Sequence, residues 1–197
     1  MKNILLSALT LSILSFPALA DRASDLNRAQ SWMNSMDKAT AKFQQIDYQG
    51  NVMRGQFYID RPGRLRFEYD APTKDFIVAD GFQIHFYDGE SDQYNSAPIG
   101  STLADFILRD NISFTDKKVN VESVTDTGNS THITISQADS PGSGELILKF
   151  DKSPYRLSSW DIIDAQGLTT TIVLSNLNLN ANINPSIFKV DNRNLNE

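Results

Sequence analysis

The feature that most constrains the fold is an alternation of apolar and polar residues on both sides of an Arg-Pro-Gly step, within residues 55–69 (GQFYIDRPGRLRFEY). Side chains of a β-strand point alternately to opposite faces, so a period of two is typical of a strand with one apolar face. Pro62 fixes its φ and Gly63 tolerates a positive φ, which favours a tight turn between two strands. We therefore predict a hairpin with Arg61 at its turn. Its apolar face carries Phe57, Ile59, Leu65, Phe67 and Tyr69.

Similar alternating segments recur along most of the chain. The predicted strands are residues 39–48, 51–60, 64–70, 75–80, 82–88, 91–96, 116–125, 130–138, 144–151, 155–164 and 168–180. Asp-Gly pairs at 80–81 and 88–89 separate such segments, as tight hairpins require. Near the end of the chain, the unbroken alternation predicts that Leu177, Leu179 and Ile183 face a buried side.

Two helices are predicted among these strands. Apolar residues at three- and four-residue spacing predict a helix over residues 24–36. Thr102, three residues before Asp105, is typical of a helix start and predicts a short second helix over 101–109. About ten strands with only two small helices favour one domain, an antiparallel sheet curled into a barrel or half-barrel, with the helices as a plug or lid.

The first twenty residues have the composition of a secretory signal peptide. A basic Lys2 precedes an apolar run over residues 4–16, and Ala-Leu-Ala at 18–20 fits the small-x-small rule for cleavage. The alternative, a membrane anchor, is disfavoured because the apolar run is shorter than the roughly 20 residues that a helical span needs. We predict cleavage after Ala20 and a single domain over residues 21–197.

Composition excludes several classes of function. The net charge is −6, and no basic run follows residue 20, so nucleic acid and anionic membranes are poor partners. The chain has no cysteine, so it has neither a disulfide nor a cysteine-linked lipid anchor of its own. Only His85 and His132 are histidines, and two cannot form the usual zinc site. Without a nucleophile elbow or a phosphate-binding glycine loop, we expect no enzyme, no cofactor and no metal.

The residues alone leave two interpretations of the apolar face open. A fully packed core is the commoner arrangement in β-rich proteins. A ligand cavity is favoured by the small size of the helices relative to the sheet, and by bulky residues that can line a space without filling it. Those residues include Phe57, Phe67, Tyr69, Phe86 and Trp160.

The order and spacing of several short motifs resemble a known family. They are G-x-F-x-x-x-R-P-x-x-L-x-F-x-Y from Gly55, then Pro72, Val-Ala-Asp-Gly at 78–81, Phe-Tyr-Asp at 86–88, Ala-Pro-Ile at 97–99, and Pro-Ser-x-Phe at 185–188. In this order they resemble the periplasmic outer-membrane lipoprotein carrier proteins, the LolA family, over nearly all of the mature chain. The resemblance implies a mainly β fold, an incomplete half-open barrel with short helices as a lid over an apolar cavity.

The same resemblance implies a function and its partners. The protein would be a monomeric periplasmic carrier that takes acylated lipoproteins from an ABC-type release complex in the inner membrane. It would hold their acyl chains in the cavity and deliver them to the outer membrane, where an acceptor lipoprotein receives them. Related proteins with the same half-barrel act as envelope-stress sensors or carry glycolipid, and these remain alternatives.

The resemblance also assigns roles to residues. The acyl-chain lining carries over to Leu65, Phe67 and Tyr69, and strand alternation extends it to Phe57, Ile59, Ile84 and Phe86. The lid carries over to Leu26, Trp32, Met33, Met36, Leu103, Phe106 and Ile107. Arg61 would hold the lid closed through hydrogen bonds to lid carbonyls. The C-terminus departs from the family pattern after Phe188, which puts docking of the usual acceptor in doubt.

Overall fold

The computed structural model describes residues 17–190, with side chains from residue 21 onward. The predicted signal peptide therefore lies outside the described residues, except that residues 17–20 belong to the backbone of the first helix. The strands are β1 Lys38–Ile46, β2 Val52–Asp60, β3 Arg64–Tyr69, β4 Phe76–Asp80, β5 Gln83–Asp88, β6 Gln93–Pro98, β7 Val119–Asp126, β8 Ser130–Gln137, β9 Gly144–Lys152, β10 Tyr155–Asp164 and β11 Thr169–Asn178. The helices are α1 Pro17–Asn34 and α2 Ala104–Leu108, with 3₁₀ turns at Ile99–Ser101 and Pro185–Phe188.

All eleven strands form one antiparallel sheet in the order β6-β5-β4-β3-β2-β1-β11-β10-β9-β8-β7. The two edge strands, β6 and β7, do not pair with each other, so the curled sheet is not closed into a barrel. This confirms the predicted fold class. In the described part of the chain, no helix combines the length and the hydropathy of a membrane-spanning segment.

The predicted hairpin of residues 55–69 is confirmed in its register. Phe57 lies opposite Phe67 and Ile59 opposite Leu65 across β2 and β3, and all four are buried. The ring centroids of Phe57 and Phe67 lie 5.0 Å apart. Gly55 permits this packing, because a Cβ there would lie 2.0 Å from the carbonyl oxygen of the neighbouring β3 strand.

Because every neighbouring pair is antiparallel, the turns alternate between two ends of the sheet. The lower end holds the turns at 61–63, 81–82, 127–129 and 153–154. The upper end holds the turns at 47–51, 70–75, 89–92, 138–143 and 165–168. The hairpin turn that carries Arg61 is therefore at the lower end.

The two helices cover very different amounts of the concave face. The longer one, α1, has 18 residues, and α2 has only five. The prediction of a helix over 101–109 was too long because Thr102 does not cap α2. Its hydroxyl donates to the Ile99 carbonyl at 2.9 Å and closes the preceding 3₁₀ turn instead.

The C-terminal segment leaves the sheet after β11 and crosses the outer face of β3 and β4. Phe188 and Ile183 are buried there, and Arg66 on β3 donates from Nη1 to the Ile187 carbonyl at 3.2 Å. The prediction that Leu179 faces a buried side is wrong, since β11 ends at Asn178 and Leu179 is 38% exposed. Alternation reports burial only while the chain remains in the sheet.

Candidate functional site

An apolar cavity of about 460 Å³ lies between the concave face and the segment that contains α2. Its apolar lining is Leu65, Phe67, Ile77, Ile84, Phe86, Leu103, Ala104, Ile107, Leu146, Trp160, Ile162 and Ile172. Polar lining residues, among them Gln45, Gln137 and Asp164, come mainly from the upper end of the sheet. The cavity reaches solvent there, because Phe86 is 38% and Ile162 is 36% exposed.

Strand alternation placed the predicted lining on the correct face, but only part of it borders the cavity. Four of the seven predicted positions line it, namely Leu65, Phe67, Ile84 and Phe86. Phe57 and Ile59 are fully buried in the core and lie outside the cavity wall. The sheet face is therefore divided into a packed part and a hollow part.

The predicted lid residues are divided in the same way. Leu103 and Ile107 line the cavity, whereas Phe106 turns away from it and packs on Phe114 with ring centroids 5.2 Å apart. The four positions predicted on the first helix are absent from the cavity wall: Leu26, Trp32, Met33 and Met36. Met33 and Met36 are fully buried, and they belong to the core beneath α1.

A smaller depression of about 250 Å³ adjoins the cavity at the upper end of the sheet. The two share Gln45, Ile77 and Phe86 in their walls. Tyr69 lines the depression, and its hydroxyl donates to Oε1 of Gln45 at 2.7 Å. Burial, with the negative charge of Asp75, raises the pKa of the Tyr69 hydroxyl above its ordinary value, so this group is neutral.

Arg61 is buried at the lower end of the sheet, where it links the two helical covers of the concave face, α1 and the segment that contains α2. It donates from Nη2 to the Met33 carbonyl at 2.6 Å and from Nε to the Met36 carbonyl at 2.9 Å. A third bond, from Nη1, reaches the carbonyl of Arg109 just after α2 at 3.3 Å. Burial lowers the pKa of Arg61, but an arginine remains charged in proteins.

Backbone contacts reinforce this junction of the two covers. The amide of Gly63, in the same hairpin turn, donates to the Leu108 carbonyl at 2.9 Å. On α1, Asn34 exchanges two hydrogen bonds with the backbone of Ile112, at 2.9 and 2.8 Å. The end of α1, the hairpin turn and the chain that follows α2 are therefore linked at one place.

Sequence reasoning missed several wall residues, which all come from strands that it had located. They are Ile77, Leu146, Ile162 and Ile172. Ile77 lies opposite Phe67 and Phe86 in the sheet, and Ile172 lies opposite Trp160, so they share the predicted apolar face. Alternation alone could not find them, because no lining position was predicted on their own strands. The position of the cavity under α2 has no comparable sequence signal.

Neither histidine belongs to the cavity. His85 lies within hydrogen-bond distance of the Tyr94 hydroxyl, at 2.5 Å, and of the Asp80 carboxylate, at 3.1 Å. His132 pairs with the Ser130 hydroxyl at 3.0 Å, and burial together with Lys149 lowers its pKa. Among the described residues, no three His, Cys, Asp or Glu side chains come together as a metal site.

Comparison with known proteins gives a consistent family assignment. Residues 34–191 match the family model of the outer membrane lipoprotein carrier protein LolA. An outer-membrane lipoprotein carrier protein from Nitrosomonas europaea is 27% identical over 195 residues, covering 94% of this chain and 93% of that protein. An uncharacterized protein from Rickettsia prowazekii is 25% identical over 171 residues, covering 86% of this chain and 79% of that one.

Solved structures include a LolA superfamily protein from Nitrosomonas europaea, with a TM-score of 0.48, 11% identity, and coverage of 86% of this chain and 98% of that one. The family assignment depends on the family model, whose match takes in the hairpin of Arg61, the cavity and α2. Since that match spans most of the sequence, this chain belongs to the LolA family of outer membrane lipoprotein carrier proteins.

Proposed function

We propose that this protein is a periplasmic, non-enzymatic carrier that binds the acyl chains of lipoproteins and delivers them to the outer membrane. The observation that carries this proposal is the apolar cavity, which opens to solvent beneath a helix of only five residues. Its volume of about 460 Å³ lies within the range of pockets that enclose small apolar ligands, roughly 300–1,000 Å³. Because the cavity is lined by phenylalanine, isoleucine and leucine, moving an acyl chain from water into it is favourable.

The energetics favour partial burial of the cargo. Each buried methylene contributes about 0.8 kcal/mol, so three long acyl chains offer on the order of tens of kcal/mol. Non-covalent affinity saturates near roughly 20 kcal/mol. A carrier that used all of this energy would not release its cargo, so the proposed mode is incomplete enclosure under a movable cover.

Arg61 is the residue proposed to hold that cover closed. Its guanidinium offers five donors in a fixed fork, and three carbonyls from the two covers accept from it. Insertion of acyl chains beneath α2 displaces the chain near Arg109 and removes at least one of these bonds. Release of the cargo allows the bonds to form again.

The proposed partners are those of a carrier between two membranes. An ABC-type complex in the inner membrane supplies the acylated lipoprotein, and an acceptor at the outer membrane receives it. Direct transfer from one apolar cavity to the next keeps the acyl chains out of water, which avoids the cost of exposing them.

The two tryptophans of the chain allow a direct test. Trp160 lines the cavity, whereas Trp32 belongs to α1 and packs against the sheet outside the cavity, with its ring centroid 6.0 Å from that of Phe150. The probe is a triacylated lipopeptide with bromine on its acyl chains, because bromine quenches indole fluorescence on contact. The Trp32→Phe variant, which retains Trp160, should be quenched in a saturable manner.

The matched control is Trp160→Phe, which retains Trp32 and should bind the probe without quenching. Binding itself is measured by displacement of a fluorescent fatty acid, and folding by circular dichroism. Quenching of Trp32 with no effect on Trp160 would place the acyl chains beneath α1 and contradict the proposed site. Failure of the unmodified protein to bind the lipopeptide would contradict the carrier function.

A further inference from the structure

The two edge strands of the open sheet are protected to different degrees. On β7 a bulge interrupts the register between Val121 and Ser123. Glu122 adds a charge at that place, and Arg22 donates to the Val121 carbonyl at 2.9 Å. Bulges, charges and covering groups are the means by which proteins prevent another strand from adding to an edge.

Strand β6 ends in Pro98, a residue that protects sheet edges, but the five residues before it have no bulge, charge or covering group within the described chain. Residues 93–97 (QYNSA) carry no charge, and their register with β5 has no bulge. In the described part of the chain only β5 pairs with β6, and residues 93–96 are all exposed. An edge strand of this kind presents a row of unpaired N–H and C=O groups to any extended chain beside it.

This unprotected edge lies beside the opening of the cavity. Phe86 lines the cavity and is directly opposite Asn95 in the register of β5 and β6. Gln93 and Asn95 line the adjoining depression, which shares Phe86 with the cavity. A ligand that fills the cavity and leaves it on the side of Phe86 therefore passes β6.

We propose that β6 pairs with an extended stretch of the cargo polypeptide, the residues that directly follow its acylated N-terminus. This inference rests on the proposed function, because it takes the occupant of the cavity to be an acylated protein. The peptide begins where the acyl chains end, so acyl chains bound in the cavity hold its first residues close to β6. Main-chain hydrogen bonds give affinity independent of side chains, which suits cargoes that share only their lipid.

The absence of cysteine from the chain makes a disulfide test specific. In the Asn95→Cys variant, a strand added beside β6 would place its nearest side chains with Cβ atoms about 4.5–5.5 Å away, close to disulfide distance. The probes are triacylated lipopeptides with one free cysteine at successive positions of the peptide, oxidised with copper phenanthroline. Cross-linking should alternate between high and low yield with a period of two residues.

The matched control is Thr125→Cys on β7, an exposed position on the protected edge, which should cross-link weakly at every probe position. A second measurement uses the unmodified protein and amide hydrogen exchange. The triacylated lipopeptide should slow exchange of the β6 amides by at least about fivefold. The same acyl chains on glycerol, without a peptide, should leave these amides unchanged.

The outcomes separate the two proposals. If the lipopeptide binds but cross-linking does not alternate, or is equal on β7, the pairing is wrong and the carrier function stands. If the lipopeptide does not bind at all, both are wrong. A disulfide between two copies of the Asn95→Cys protein would assign the edge to self-association and overturn the inference.

Discussion

The concave face of the sheet is solid under one helix and hollow under the other. Beneath α1, side chains fill the space between helix and sheet: Met33, Ile133, Leu148 and Phe150 are all fully buried, and none lines the cavity. Beneath α2, a cavity of about 460 Å³ remains. Both parts of the sheet present similar apolar residues, so the difference lies in the covers.

The comparison teaches that a cavity follows from the size of its cover as much as from the residues that line it. The described side chains of α1, over residues 21–34, include several apolar groups that project into the space beneath it, among them Ala29 and Met33. A helix of five residues cannot project as many, and α2 contributes only Ala104 and Ile107 to the cavity wall. The short helix covers the space without filling it, and a few hydrogen bonds at one end hold it in place.

The largest expected effect is a loss of unfolding free energy, and it is predicted by comparing Leu→Ala at two positions of the same strand. Leu148 and Leu146 are both fully buried on β9, but only Leu146 lines the cavity. Leu→Ala in a packed core costs about 2–5 kcal/mol, with the larger values where a larger cavity is left. We expect about 3–5 kcal/mol for Leu148→Ala and about 2 kcal/mol or less for Leu146→Ala.

Urea unfolding of both variants measures this difference. Leu146 already lacks neighbours on its cavity side, so fewer contacts are lost with its side chain. Equal losses of stability for the two variants would mean that the cavity wall is as well packed as the core, and the contrast between the two covers would be invalid.

The next largest effect is the loss of stability when Arg61, which links α1 to the chain after α2, is replaced. Arg61→Leu removes donors from three carbonyls, and unpaired buried acceptors cost about 1–3 kcal/mol each where water cannot replace the donor. We expect a loss of about 2–3 kcal/mol in unfolding free energy, because the Met33 carbonyl still accepts from the amide of Met36 and Arg109 is partly exposed. Hydrogen exchange should accelerate in α2 and at Arg109, and remain slow in the middle of α1, which has its own packing.

Arg54→Leu is the control, since Arg54 is exposed on β2 and its replacement should change stability by no more than about 0.5 kcal/mol. Equal acceleration of exchange in α1 and α2 would indicate that the arginine supports both covers alike. No acceleration in α2 would mean that other contacts, such as that of Gly63 with Leu108, hold it.

The fold was largely predictable because strand alternation and turn residues are local signals. The hairpin around Arg61 has the predicted faces, and Phe57, Leu65 and Phe67 are buried as expected. The failures have physical causes. Leu179 follows the end of β11, where alternation no longer reports burial.

The site was predictable only in part, because the division between packed and hollow regions depends on which helix covers which strand. Phe57 and Phe67 are opposite each other in the sheet, yet only Phe67 lines the cavity. No local pattern distinguishes them. The hydrogen bonds of Arg61 likewise depend on three carbonyls that the sequence does not mark.

The smallest expected effect is on the pH dependence of stability, and it tests whether α1 keeps water from the packed part of the sheet. Tyr155 lies under α1, with the guanidinium carbon of Arg28 4.0 Å from its ring centroid and the Phe150 ring stacked at 5.4 Å. Burial raises the pKa of the Tyr155 hydroxyl from 10.0 to about 12, with Arg28 opposing this shift and Asp25 adding to it. The folded protein therefore retains this proton at a pH where the unfolded chain has lost it.

Stability from this group is fully present below pH 10 and is lost as the pH rises from about 10 towards 12. Tyr155 is only half-buried, so solvent screening limits the loss to about 1 kcal/mol or less. Urea unfolding at pH 8, 10 and 11 should show less alkaline loss in Tyr155→Phe than in the unmodified protein. Tyr48→Phe, at a position 59% exposed, should behave like the unmodified protein. If Tyr155→Phe and Tyr48→Phe lose stability equally, the Tyr155 hydroxyl is as well solvated as that of Tyr48, and α1 does not keep water from the packed part of the sheet.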